Sequence, residues 1–218
     1  MPDLGNRRPL SSRDTKWAAR ITRMLAARGA TPNGISQASM VAAAVAALAF
    51  WALAAVPVGA RAVILLIIGA LGCQIRLLCN LFDGMVAVEA GKAAPDGPLW
   101  NEFPDRVSDI LILFGVGLGM GQPVLGLGAA CMAVLTAYTR ELGASIGLAP
   151  DFCGPMAKPH RMALITGAAL LAIFETTLVP PGTTLTIALW LVLLGAGATA
   201  LRRAYRIRAA LMLRGEES

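Results

Sequence analysis

Long apolar blocks alternate with short polar breaks along this chain. The blocks run over about 35–56, 62–88, 99–119, 123–142, 161–178 and 183–201. Each is close to the ~20 residues a helix needs to cross a hydrocarbon core of about 30 Å. The breaks carry turn chemistry: Pro57-Val58-Gly59, Gly121-Gln122-Pro123 and Pro180-Pro181-Gly182. Ahead of the first block, residues 12–28 put Trp17, Ile21, Met24 and Leu25 on one helical face, with Lys16, Arg20 and Arg23 on the polar side. That pattern suits a helix lying in a membrane interface. Thr31-Pro32-Asn33-Gly34 ends it. The expected fold is all-α: a polytopic membrane protein built as a six-transmembrane-helix bundle with an N-terminal interfacial amphipathic helix. Residues 1–34 would be the N-terminus carrying that helix, 35–201 the membrane domain, and 202–218 a basic tail.

Composition supports a membrane chain over a soluble one. Charged residues make up 15% and hydrophobic ones 56%, whereas a soluble domain carries about 25% charge. The net charge is +6, and the basic residues gather between the blocks. They lack the polar and aromatic company that reads bases, so anionic lipid is the expected partner and nucleic acid is not. Only Arg61 falls in an expected outside loop. The positive-inside rule then places both termini in the cytoplasm, at a bacterial inner membrane. Cys73, Cys79, Cys131 and Cys153 form no C-x-x-C pair and read as small apolar residues. Glu175, near an outside end, is expected to be solvated.

The second and third blocks are unusual because they carry ionisable groups, which are costly in a span and usually functional. Arg76, Asn80, Asp83 and Ala87 are spaced by four, three and four residues, which puts them on one helical stripe. Asn101, Asp105 and Asp109 repeat every four residues and form a second stripe. Both stripes lie at the cytoplasmic ends of helices that run in opposite directions. Such facing oxygen-rich stripes suit a hard divalent cation. Arg76 and Asp109, one turn deeper on each stripe, should sit at similar depth and form a buried structural ion pair.

At these residues the sequence resembles the CDP-alcohol phosphotransferase family, whose motif is D-x2-D-G-x2-A-R-x8-G-x3-D-x3-D. Here the stretch reads Asn80-Leu-Phe-Asp83-Gly84-Met-Val-Ala87-Val88, then eight residues, then Gly97-Pro-Leu-Trp-Asn101-Glu-Phe-Pro-Asp105. Every spacing matches. Identities match at Asp83, Gly84, Ala87, Gly97 and Asp105, and Arg106 follows the last aspartate. The chain departs from the motif at Asn80, Asn101 and Val88, which stand at two aspartate positions and the arginine position.

The resemblance implies phospholipid synthesis. A phosphatidyl group would pass from CDP-diacylglycerol to a small, phosphorylated alcohol such as glycerol 3-phosphate, with release of CMP. It implies Mg²⁺ or Mn²⁺ as cofactor, one or two ions, held by Asp83, Asp105 and the carbonyl oxygens of Asn80 and Asn101. Asp105 would be the catalytic base. Asn33, Gly84, Ala87 and Gly97 would shape the nucleotide site. Arg140, Lys158 and Arg161 would hold the acceptor phosphate, the feature closest to phosphatidylglycerophosphate synthases. Positive-inside charge alone also accounts for those three. A homodimer is the family's default. Two other readings stand beside this one: a degenerate member that binds nucleotide lipid with little turnover, and a small transporter. The transporter fits less well, because the polar residues stop at one end of the membrane.

Overall fold

The computed structural model describes residues 15–89, 95–175 and 179–216, with the backbone alone at Glu89, Asn101 and Glu216. Among these residues all regular structure is helical. The helices are α1 (Lys16–Ala27), α2 (Pro32–Ala52), α3 (Ala60–Glu89), α4 (Gly97–Gly119), α5 (Pro123–Ser145), α6 (Lys158–Ala172) and α7 (Thr183–Glu216). The polar breaks act as expected. Thr31 caps α2 by accepting from the Gly34 amide, and Pro32 takes the first turn, where its missing N–H costs nothing. Pro123 starts α5 in the same way.

Among the described residues, four segments are long and apolar enough to cross a membrane: Pro32–Ala55, Ala60–Val88, Pro123–Ser145 and Thr183–Gly215. The expected count of six therefore rests on α4 and α6, which differ for stated reasons. The first turns of α4 carry Glu102, Asp105, Arg106 and Asp109, and α6 has only 15 residues. The helix ending the chain runs unbroken to Glu216, so the residues expected as a basic tail continue α7. The first residues of the expected interfacial helix lie outside the described ones. Within α1, small residues Ala18 and Thr22 make the buried seam on α3, while Trp17 and Met24 stay 47% and 44% exposed. The apolar face read from the sequence is thus only partly covered: Trp17 stands edge-on to Phe82 of α3, and Ile21 and Leu25 are half-buried.

The core is shared by all the long helices. Phe50, Cys73, Ile112, Val116, Met162, Ile165, Leu189 and Val192 belong to one buried cluster. Its small residues let backbones approach. A Cβ on Gly115 would stand 2.7 Å from the Ala47 Cα, and one on Gly117 2.7 Å from the Gly126 Cα. Hence α2 seats on α4, and α4 on α5. Large apolar side chains cover the outside, among them Val41, Ile64, Leu71, Leu194 and Leu201. So wide an apolar surface is unsuited to water and matches a hydrocarbon surrounding.

Helix α2 packs along both α3 and α4, which touch each other over only a few residues. At that end of the bundle the α2, α4 and α6 N-termini meet the C-terminal halves of α3, α5 and α7.

Candidate functional site

Helices α3 and α4 meet in antiparallel register. Asn80 Nδ2 donates to Asp105 Oδ1 at 2.5 Å, and Arg76 Nη2 donates to Asp109 Oδ1 at 3.1 Å. Four residues back along α3 correspond to four forward along α4. The two stripes read from the sequence therefore face each other. The same register sets backbone position 101 level with Gly84; the side chain of Asn101 lies outside the described residues. Helix α4 continues through Pro104, and the Asp105 carbonyl just beyond it accepts from Arg76 Nη2 at 3.2 Å.

The deeper layer is an ion cluster. Asp109 is 1% exposed and its second oxygen accepts from Arg161 Nη2 at 2.5 Å. One carboxylate thus joins α3, α4 and α6. Arg161 adds Thr136 Oγ1 on α5 at 3.3 Å and the Met156 carbonyl at 3.0 Å. Several buried donors, Arg76 Nε and Nη1 and Arg161 Nε, have no hydrogen-bond partner among the described residues. Charge attraction to Asp109 must then offset much of the desolvation of two guanidinium groups.

The shallower layer centres on Asp105, 4% exposed. Its Oδ2 accepts from Lys158 Nζ, and Lys158 also donates to Asn80 Oδ1 at 2.6 Å. Arg76 lies 3.4 Å from Oδ1 and Arg106 3.8 Å from Oδ2. Asp83, 5% exposed, accepts from Ser36 Oγ on α2 at 2.7 Å and from the Gly84 amide at 2.5 Å. It is within electrostatic reach of Lys158 and Asp105.

The rim lies above. Asn33 Nδ2 donates to Asp96 Oδ1 at 3.0 Å, and Trp100 Nε1 to Asp96 Oδ2 at 2.8 Å. These two bonds hold the Asp96 carboxyl below its ordinary range. Asn33 thus ties the start of α2 to the start of α4. Gly97 has open space where a Cβ would stand, and Ala87 is half-buried on α3.

The three basic residues expected to hold an acceptor phosphate do not form one free basic pocket. Arg161 is 3% exposed and bound to Asp109. Lys158 is bound to Asn80 and Asp105. Arg140 pairs with Glu102 at 2.5 Å and Glu141 at 2.7 Å, and its guanidinium lies 5.6 Å from the Phe152 ring centre. Arg106 also pairs with Glu102. Two features escaped the sequence reading. Arg203, expected in the tail, is 5% exposed and donates to the carbonyls of Cys153 (3.0 Å) and Thr136 (2.6 Å). Glu175, expected to be solvated, is 4% exposed and accepts from the amides of Gly182 (2.6 Å) and Thr184 (2.5 Å), capping α7.

The donor set decides what cation fits. No three Asp, Glu, His or Cys side chains gather among the described residues. Asp83 and Asp105 supply two carboxylates, and each oxygen retains lone pairs beyond its present donor. That set suits one Mg²⁺-like ion, which is commonly held by one or two carboxylates together with substrate phosphates. It is poor for two.

No protein-family model matches the chain, and no curated protein matches it. Solved structures do. The phosphatidylinositol phosphate synthase of Mycobacterium tuberculosis (PgsA1), in complex with manganese and citrate, superposes with a TM-score of 0.72 at 21% identity, covering 87% of this chain and 88% of that one. The same enzyme with CDP-DAG bound gives 0.72 at 20% identity, over 88% and 94%. Its apo form gives 0.68 at 20%, over 85% and 93%. The chain therefore has the fold of this membrane phosphatidyltransferase along nearly its whole length.

Proposed function

We propose that this protein is a CDP-alcohol phosphatidyltransferase: it moves a phosphatidyl group from CDP-diacylglycerol to a small, phosphorylated alcohol and releases CMP. One observation carries the reading. The motif-spaced residues Asn80, Asp83 and Asp105 converge between α3 and α4 at one end of the bundle, in the fold of an enzyme solved with CDP-DAG bound. Positive-inside charge supports placing that end, and both termini, in the cytoplasm.

The chain's residues divide the work. Asp83 and Asp105 would hold a divalent cation, an expectation supported by the neighbour's manganese. Bound there, such an ion would neutralise the diphosphate of the donor. Gly84, Ala87 and Gly97 leave room for the nucleotide, and Asn33 braces the rim through Asp96. Asp105 takes the proton of the attacking hydroxyl. Its Oδ1 accepts from Asn80 and its Oδ2 from Lys158, so each oxygen keeps a lone pair, one for the cation and one for that proton. Arg106 and Arg140, both held by Glu102 and each about 20% exposed, can meet an acceptor phosphate at the rim. Arg161 supports the acceptor site indirectly, through Asp109.

The acceptor is tested by supplying purified protein with CDP-diacylglycerol and single acceptors, then identifying the lipid product. Glycerol 3-phosphate should give a phosphorylated product. Transfer to unphosphorylated alcohols alone would remove the phosphate from this reading.

A further inference from the structure

Lys158 does more than mark the basic end of α6. Its side chain leaves the start of α6 and reaches across to α3 and α4, 78 residues away in sequence from Asn80. There its ammonium closes a three-way ring. It donates to Asn80 Oδ1 at 2.6 Å and to Asp105 Oδ2, while Asn80 Nδ2 donates to Asp105 Oδ1 at 2.5 Å. Position 80 in this ring must accept from Lys158 and donate to Asp105 at once, which an amide does and an ionised carboxylate does not. An aspartate there would set two carboxylates against each other at hydrogen-bond distance. A cation would then be needed between them. The asparagine and the lysine are thus two halves of one arrangement.

Resting on the phosphatidyltransferase reading, we propose that Lys158 is a resident cation that replaces a second divalent ion, so that the site takes a single ion, on the Asp83 side. Charge balance agrees. Asp83, Asp105 and Asp109 face Arg76, Lys158 and Arg161, with Arg106 3.8 Å from Asp105, so positive charge already matches the carboxylates before any ion enters. A second divalent ion would add two positive charges on top of the first ion's, and would have to displace an ammonium bound to two oxygens. The ammonium is a compact point charge suited to this role, and it does not depend on the free metal concentration. Lys158 also stays part-exposed beside Asp105, so it can meet the negative charge of the donor diphosphate.

The test counts ions. Full-length protein in nanodiscs is titrated with Mn²⁺ in the presence of CDP, and free Mn²⁺ is followed by electron paramagnetic resonance. The native chain should bind one Mn²⁺. Lys158→Gln combined with Asn80→Asp should bind two, because the second carboxylate then lacks its ammonium. Asn80→Asp alone should still bind one, with Lys158 bridging the carboxylates. Two ions, or none, on the native chain would overturn the proposal. So would a single ion on the double variant, once circular dichroism shows it folded. Release of CMP from CDP-diacylglycerol is measured separately. One bound ion with no CMP release sinks the transferase reading and leaves the ion count standing.

Discussion

Arg76 on α3 and Asp109 on α4 form an ion pair, Nη2 to Oδ1 at 3.1 Å, with side chains 0% and 1% exposed. The pair lies one turn below the Asn80–Asp105 contact and forms the floor of the polar site. Asp109 also holds Arg161 at 2.5 Å, so the two partners are not equivalent. Asp109→Ala leaves Arg161 without a carboxylate and Arg76 with only its longer contact to Asp105, whereas Arg76→Met leaves Asp109 still paired. Breaking a buried pair from one side costs about 3–5 kcal/mol. Arg76→Met should fall in that range, Asp109→Ala should exceed it, and the double variant should lose less than the sum. Thermal unfolding in nanodiscs measures all three. Additive losses would mean the pair carries no coupling.

Asp105→Asn should abolish transfer while the protein still inserts. The amide cannot accept the acceptor's proton, and general-base catalysis contributes typically ~10²–10⁴-fold. Asn keeps an oxygen for Lys158, so the ring with Asn80 is strained and not lost. The variant should therefore unfold at a lower temperature than the native chain but remain helical. CMP release beside circular dichroism gives both readouts. Near-native turnover would take Asp105 out of the base role.

Much of this site was legible in the sequence, and the limit has a physical cause. Helical periodicity tells which residues share a face, so the stripes of Asn80 with Asp83 and Asn101 with Asp105 could be read. Antiparallel succession of α3 and α4 gave their register, and with it the depth match of Arg76 and Asp109. Periodicity says nothing about which distant helix abuts that face. Lys158 and Arg161 arrive from α6, and their carboxylate partners could not be named from spacing. The same holds for Arg203, whose acceptors, the Cys153 and Thr136 carbonyls, lie 50 and 67 residues away. A run of arginines after an apolar block reads as a solvated tail until a loop folds onto it. The motif's two asparagines were visible as departures. What made Asn80 coherent, an amide bonding in both directions, needed coordinates.

Glu175 caps α7 from the turn before it. Both carboxylate oxygens take backbone amides, those of Gly182 and Thr184. Glu175→Ala leaves both N–H groups buried without that partner and should cost about 0.5–2 kcal/mol, as loss of an N-cap does. Glu175→Gln keeps the acceptor and should cost less. Unfolding temperatures of the two variants test this; equal, negligible losses would mean water serves the α7 start as well.

Gly115 allows α4 to seat on α2. A Cβ there would stand 2.6 Å from the Ala47 carbonyl oxygen, a contact that backbone must shift to relieve. Gly115→Ala should destabilise by about 1–3 kcal/mol, the usual cost of overpacking. Gly97→Ala meets nothing within 4 Å and should leave stability unchanged, so any loss of turnover there would report on the nucleotide site. Paired melting and CMP-release assays separate the two glycines.

The Asn33–Asp96 link should be insensitive to pH through the working range. Hydrogen bonds from Asn33 and then Trp100 lower the Asp96 pKa from its ordinary 3.8. A lowered folded-state pKa means the link is fully present above the unfolded value. It is lost only as pH falls through the lower folded one. Chemical shifts of a labelled Asn33 side-chain amide should stay constant from about pH 8 down to pH 5 and move only in stronger acid. A midpoint near neutral pH would contradict the pairing.

The central claim is phosphatidyl transfer, and CMP release tests it most directly. Purified protein in nanodiscs is given CDP-diacylglycerol and glycerol 3-phosphate, with Mg²⁺ added or chelated. Saturable release of CMP that needs both the acceptor and the divalent ion, and that disappears with Asp105→Asn, is the predicted result. A folded native protein that binds CDP-diacylglycerol yet releases no CMP with any acceptor would contradict the account, leaving a nucleotide-lipid binder in an enzyme's fold.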